Sequence, residues 1–314
     1  MAAAADRKIA EGLEHMRQAD KCLKTSVFKW KPDIDGAVSE FSKAAIAFKN
    51  AKAHSKATDA YLKAADAQKS AGSFFHAAKS LEAAALIQKE TKDFRMATEL
   101  IETASDLYLQ HGVPDTAAIC LERAAKMLEP VLPEEAIRMY LKASDVAEME
   151  DKQRQMGEFV GKAGRIFIRI KKYEEAAESI RREIDLYCTM DSHGLINKLV
   201  FGLVLIHLSR EDYVAADQAF KACCGLPGFA DSEEAGPIEA LLDAYDQGDE
   251  DAARQILLSP LFRYMDNEFA ILARDLKIPG GAAKASDGGG GGGGEGRGPV
   301  RVDEDEDEYS GGLL

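Results

Sequence analysis

The stretch Ala57-Thr-Asp-Ala60-Tyr61-Leu-Lys-Ala64-Ala65, followed by Ala77-Ala-Lys-Ser-Leu81-Glu-Ala-Ala84-Ala85, decides the fold. Small and apolar residues stand at i, i+3 or i+4, i+7 and i+8, which is one face of an α-helix. The second segment repeats the first after 20 residues. Working outward, the residue that opens the pattern recurs at Ala37, Ala57, Ala77, Ala97, Ala117, Ala136, Met156, Ala176, Ile196 and Ala216, with one step of 19. Such a unit holds a helix of about 14 to 15 residues and a short turn. Two units make a hairpin of about 40 residues, close to the tetratricopeptide period, and hairpins of this kind must stack to bury their apolar faces. The alanines let helix axes approach, while Phe41, Tyr61, Leu81, Leu100 and Leu121 fill the space between them. No segment alternates with period two, so no sheet is expected. The predicted fold is all-α: a right-handed superhelical α-solenoid of tetratricopeptide-like helical hairpins with a C-terminal helical bundle.

Turn chemistry keeps the same phase. His111-Gly112-Val113-Pro114-Asp115 reads as a helix end followed by a new start. Pro133-Glu134-Glu135 places proline and acids in a first turn, and Lys171-Lys172-Tyr173 breaks the phase before Ala176. The expected divisions are a capping helix at 1–24 (Ile9, Leu13, Met16 and Leu23 on one face), a hydrophobic and basic loop at 25–36, the solenoid at 37–224 and a helical bundle at 225–280. A Gly-rich flexible linker follows at 281–302, with seven consecutive glycines at 288–294, and an acidic tail at 303–314. In the bundle, helices are expected at 238–245 and 249–258, then from Pro260 toward Leu276.

The formal net charge is −14, and residues 1–280 carry 46 acids against 37 bases. An acidic body argues against nucleic acid as a partner. Five cysteines, Cys22, Cys120, Cys188, Cys223 and Cys224, are scattered without metal-ligand spacing. They read as free thiols in a reducing cytosol. No basic leader precedes an apolar core at the start, and the longest apolar run, near 199–206, is far short of a membrane span. The six histidines are far apart, and no phosphate cradle, GxSxG, HExxH or CxxC occurs. The expectation is a non-enzymatic protein with no catalytic, cofactor or metal site.

Three features point to binding. Val27, Phe28 and Trp30 sit in a loop with Lys21, Lys24, Lys29 and Lys31 around them. Aromatic rings among lysines suit an anionic membrane interface; the alternative is that the rings pack back onto the capping helix. Basic groupings occur at Lys49, Lys52 and Lys56, at Lys89 and Lys92, and in the run Lys162, Arg165, Arg169, Lys171 and Lys172. On an acidic protein these suggest acidic partners, the alternative being a solvated helix face. Finally Asp303, Glu304, Asp305, Glu306, Asp307 and Glu308 form an uninterrupted acidic run, and the chain ends Leu313-Leu314. That run suits capture by a basic pocket with a leucine anchor, or serves only for solubility.

Specific strings carry a family likeness: Glu11-Gly-Leu-Glu-His15, Phe28-Lys-Trp-Lys-Pro32, Ala47-Phe-Lys-Asn-Ala-Lys52, Pro114-Asp-Thr-Ala-Ala118, Asp212-Tyr-Val-Ala-Ala216, Pro260-Leu-Phe-Arg-Tyr-Met-Asp266 and Asp307-Glu-Tyr-Ser-Gly-Gly312. The chain resembles the soluble NSF attachment proteins, the SNAP family, nearest to their gamma branch. The resemblance implies an adaptor that coats an assembled SNARE complex, a syntaxin-type four-helix bundle, in several copies. It then recruits and stimulates the hexameric ATPase NSF, which disassembles the bundle in vesicle trafficking and membrane fusion. It implies a cytoplasmic protein, peripheral on the cytosolic face of endomembranes (ER, Golgi and vesicles). Carried over, the membrane-contact loop is Val27, Phe28 and Trp30. The SNARE-binding basic face includes Lys49, Lys52, Lys89, Lys162 and Arg165. The NSF-binding tail is the acidic run with Leu313. Two positions where the alpha member presents lysine to SNAREs stand here as Ile119 and Glu158, which suggests different SNARE preferences. The other reading is a general tetratricopeptide scaffold that grips peptide tails. Such a clamp needs asparagines in its groove, and this chain has only Asn50, Asn197 and Asn267.

Overall fold

The computed structural model describes residues 2–25, 30–190, 192–262 and 265–279. Fourteen α-helices run through them: α1 (Ala2–Leu23), α2 (Ile34–Asn50), α3 (His54–Ser70), α4 (Phe74–Glu90), α5 (Phe94–His111), α6 (Pro114–Leu128), α7 (Pro133–Met149), α8 (Gln153–Arg169), α9 (Tyr173–Cys188), α10 (His193–Ser209), α11 (Tyr213–Cys224), α12 (Ala235–Gln247), α13 (Glu250–Leu257) and α14 (Asn267–Asp275). Pro260–Phe262 is a single 3₁₀ turn, and no strand occurs among the described residues. Val27, Phe28 and everything from residue 280 onward lie outside them.

The twenty-residue phase is buried as the sequence predicts. Ala37, Ala57, Ala77, Ala97, Ala117, Ala136, Ala176 and Ala216 are fully buried, and Met156 and Ile196 nearly so. Each stands at the fourth residue of its helix, where a methyl lets the neighbouring backbone close in. Phe41, Leu81 and Leu121 fill the layers between helices and are buried, whereas Tyr61 and Leu100 are half-buried. Each helix from α1 to α10 packs chiefly on its predecessor and successor. Ion pairs show that the hairpins also align in register. Glu122 meets Lys162 and Glu129 meets Arg169, 40 residues apart in both cases, and Glu134 meets Lys172, 38 apart. Helices two apart are therefore neighbours, and the stack has two rows. Even-numbered helices α2 to α10 form one row, and odd-numbered helices α3 to α11 the other.

Most helices are longer than the 14 to 15 residues expected: α2, α3, α4, α7, α8 and α10 have 17. The turns between them are correspondingly short because they are closed by a left-handed residue. In the α2–α3 turn the Lys52 N–H donates to the Lys49 carbonyl and the Ala53 N–H to the Phe48 carbonyl, a Schellman pattern. Gly72 and Gly112 take this conformation freely, but Lys52, Lys92, Asp151, Lys171 and Glu211 also adopt it, with φ of +53° to +63°. For a residue with a Cβ that costs on the order of 1 kcal/mol relative to glycine. Asp33, Asp93, Asp212 and Asp249 cap α2, α5, α11 and α13 through side-chain bonds to backbone N–H groups. The Asp33 cap starts α2 at Ile34, inside the segment assigned from sequence to the loop at 25–36.

The C-terminal helices fold back on the stack. α14 lies on α10 and α8, and α12 on α11 and α10. Phe201 of α10 stacks on Phe262 with ring centroids 3.8 Å apart. Asp266 precedes α14, so the helix anticipated from Pro260 onward is broken there into the 3₁₀ turn and α14.

Candidate protein-interaction face

The two rows differ in charge. The even-numbered helices α2 to α10 carry eleven Lys and Arg against seven Asp and Glu; the odd-numbered helices α3 to α11 carry nine against fifteen. A body that is acidic as a whole thus turns a basic row to one side.

Helical phase decides which even-row side chains face outward. Lys79, Ile119, Glu158 and Lys198 are each the sixth residue of their helix, and all four are exposed. Arg123 and Lys126 project from α6 beside them. Ile46, Leu86 and Ile119 are the exposed apolar residues of the first three helices of this row, at 53, 56 and 46%. The face therefore mixes cations and apolar side chains, with Glu158 as an acid among them. Sequence reasoning did not select Lys79, Arg123, Lys126 or Lys198; counting sixth positions from each helix start would have found Lys79 and Lys198.

The sequence-nominated basic residues separate into three situations. Lys49 and Lys89 stand in the last turns of α2 and α4, and Lys52 in the turn after α2, so they share one end of the row. Lys49 pairs with Glu90 at 3.2 Å, while Lys52 and Lys89 are exposed and make no ion pair with a described residue. Lys162 lies mid-helix on α8. It bonds to Glu122 and sits 5.5 Å from the Phe159 ring centroid and 5.8 Å from that of Tyr140. Lys162 and Lys126 hold the Glu122 carboxyl below the ordinary carboxylate value, against the opposing effect of burial.

Arg165 is not an open cation. Its guanidinium bonds to Glu183 of α9 and to Asp266, and lies 4.9 Å from the Phe269 ring centroid. Its side chain is 15% exposed and that of Glu183 only 6%. Burial pushes the Glu183 carboxyl up, opposed by Arg165. Burial also works against the charge on Arg165, but Glu183 and Asp266 outweigh it and raise its pKa. Glycine makes room for this cluster. A methyl on Gly161 would meet the Glu183 carboxylate, with Oε2 at 2.9 Å, and one on Gly157 would meet Tyr187. A cleft of about 500 Å³ opens above it, lined by Glu158, Lys162, Arg169, Lys198 and Phe269.

Two tyrosines lock the rows together. Tyr108 of α5 donates to Glu82 of α4, and Tyr140 of α7 to Glu129, both at 2.6 Å. Trp30, just before α2, is 87% exposed. The other two loop residues, Val27 and Phe28, and the tail set of Asp303, Glu304, Asp305, Glu306, Asp307, Glu308 and Leu313 fall outside the described residues. Among those described, no helix is long and apolar enough to cross a membrane.

Comparison with known proteins points to one family. The family model "Soluble NSF attachment protein, SNAP" matches residues 10–258. The gamma-soluble NSF attachment protein of Dictyostelium discoideum is 29% identical over 271 residues, covering 86% of this chain and 84% of that one. The gamma-soluble NSF attachment protein of Arabidopsis thaliana is 26% identical over 270 residues, covering 86% and 92%. The beta-soluble NSF attachment protein of Bos taurus is 24% identical over 261 residues, covering 78% and 85%.

Proposed function

The chain belongs to the SNAP family of soluble NSF attachment proteins, and from that premise we propose that its even-numbered row binds assembled SNARE bundles so that NSF can be recruited and stimulated. The charge difference between the two rows carries this reading. An acidic helical bundle is attracted by the basic row and repelled by the acidic one, which fixes which side docks. Lys49, Lys52, Lys89 and Lys162 contribute cations, and Lys79, Arg123, Lys126 and Lys198 extend the set along the row. Ile46, Leu86 and Ile119 add apolar contact. Arg165 serves the face indirectly, by holding α14 over α8 and α10.

The same reading gives the ends of the chain their roles. Val27, Phe28 and Trp30 contact the membrane surface from the cytoplasmic side of endomembranes. The acidic residues 303–308 and Leu313 engage NSF, and ATP is consumed by that partner. Each contact is weak, and several copies on one bundle supply the total affinity. The test is co-sedimentation with purified SNARE complex over a salt series, with and without NSF. Binding should weaken as salt rises, and truncation after Pro299 should spare SNARE binding while abolishing ATPase stimulation. Salt-independent binding, or full stimulation by the truncated chain, contradicts the proposal.

A further inference from the structure

Where α14 lies on α8 and α10, the three helices leave a hollow between them. It is a cleft of about 500 Å³, within the range of roughly 300–1,000 Å³ that suits a small ligand or a large side chain. Its floor is apolar. Tyr187 of α9, Leu199 of α10 and Phe269 of α14 line it and are buried, and Gly161 of α8 adds no side chain to fill it. Leu195, one turn before Leu199, lines it too and is 48% exposed, so it stands at the rim.

Charged side chains line the same cleft, and most of them already neutralise one another. Arg165 pairs with Glu183 and Asp266, Arg169 with Glu129 at 2.6 Å and Glu268 at 3.6 Å, and Lys162 with Glu122. Two charges are left at the mouth. Lys198 of α10 is exposed and makes no ion pair with a described residue. Glu158 of α8 meets Arg154 of its own helix, whose side chain is 82% exposed, a contact worth little in water. The interior therefore offers no uncompensated charge and suits an apolar group, between a cation on the α10 side and an acid on the α8 side. The ion pairs tie α8, α9 and α14 together, so the walls are in place before anything binds, and a preformed pocket saves the cost of ordering it.

Glu158 and Lys198 are the sixth residues of α8 and α10, the position that also turns Lys79 and Ile119 outward. The mouth of the cleft is therefore continuous with the docking face. We infer that the cleft is the anchor pocket of that face: it takes a large apolar side chain from one helix of the docked bundle, with a carboxylate of that bundle toward Lys198 and none toward Glu158. Continuity with the face and the two rim charges point to this occupant. The inference rests on the SNARE reading and adds the place where the partner is held by burial. Exposed cations of the row attract an acidic bundle from a distance and weaken as salt rises. A desolvated pocket ringed by polar groups holds what enters it and is where binding energy concentrates.

The experiment changes the rim in the full chain and measures co-sedimentation with purified assembled SNARE complex at low salt and near about 0.5 M salt. Leu195 is half-exposed, so Leu195→Ala keeps the fold and the melting temperature. It should weaken binding about fivefold at both salt concentrations. Val214→Ala, at an apolar residue of α11 that is 63% exposed, should leave binding within about 1.5-fold. The swap E158K/K198E keeps the net charge of the row and should weaken binding roughly threefold by misplacing the carboxylate. A photoreactive benzoylphenylalanine at position 195 should cross-link to the SNARE bundle. Parent-like binding by Leu195→Ala or by the swap, a Leu195→Ala loss that vanishes at high salt, or cross-links confined to this chain or to a second copy overturn the inference. In each of those cases the parent chain still binds and the proposed function stands. A parent chain that does not bind assembled SNARE complex at all overturns both.

Discussion

Gly202 of α10 lies directly under the Phe269 ring of α14: a methyl carbon on Gly202 would sit 2.7 Å from ring Cε2. The fold-back of the C-terminal helices onto the even row depends on this missing side chain. Gly202→Ala should destabilise the protein by about 1–3 kcal/mol, the usual cost of overpacking. Adding Phe269→Leu should recover most of it. Chemical denaturation of the two single variants and the double variant measures the coupling; simple additivity would show that the two residues do not touch.

Arg165 over Phe269 is the second tie. Arg165→Met leaves Glu183 buried without its cation and should cost about 3–5 kcal/mol. Lys162→Met, at a more exposed pair, should cost no more than about 1 kcal/mol. The double variant R165M/E183M should be more stable than R165M alone. Equal losses for Arg165 and Lys162 would return Arg165 to the set of surface cations.

This pair shows where sequence reading stops. The repeat reveals the helices because alanine at one phase and glycine or proline at helix ends are local signals, whereas the aspartate caps, Asp33 among them, were not read. Lys162 and Arg165 are three residues apart on one helix and look alike in sequence. The burial of Glu183 on α9, with Asp266 and Phe269 arriving about a hundred residues later, makes one of them structural. The left-handed lysines were equally hidden, since Lys52 and Lys171 read as surface charge until the turn geometry is known. Even the charge difference between rows needs the helix boundaries, because neighbouring segments of opposite rows cancel in any running average.

His207 supplies a pH dependence. It is buried in α10, and Arg181 donates to its Nε2 at 2.8 Å, which requires the neutral ring with its proton on Nδ1. Burial first, and then Arg181, push its pKa down from 6.5 to about 4. The unfolded chain therefore binds a proton that the folded chain refuses, and stability falls as pH drops from about 6.5 to about 4. The loss attributable to this group is on the order of 3 kcal/mol. Thermal unfolding across that window should show the slope, and His207→Gln should flatten it. An unchanged slope would assign the acid sensitivity to other groups.

Phe28→Ser with Trp30→Ser should reduce disassembly of SNARE complexes anchored in liposomes while leaving disassembly of soluble complexes intact. Aromatic side chains at an interface gain from burial in the headgroup region, and that gain exists only when a membrane is present. Equal loss in the two assays would remove the membrane role from this loop.

The account rests on one row of helices being the docking side, and reversing charge on each row separately tests that most directly. Lys79, Arg123 and Lys126 changed together to Glu should weaken co-sedimentation with assembled SNARE complex by at least about tenfold, roughly 1.4 kcal/mol or more. Lys56, Lys63 and Lys69 of α3 changed to Glu, an equal shift in net charge on the other row, should leave it within about twofold. Equal loss from both variants, or loss only from the second, would contradict the assignment of the even row as the binding face.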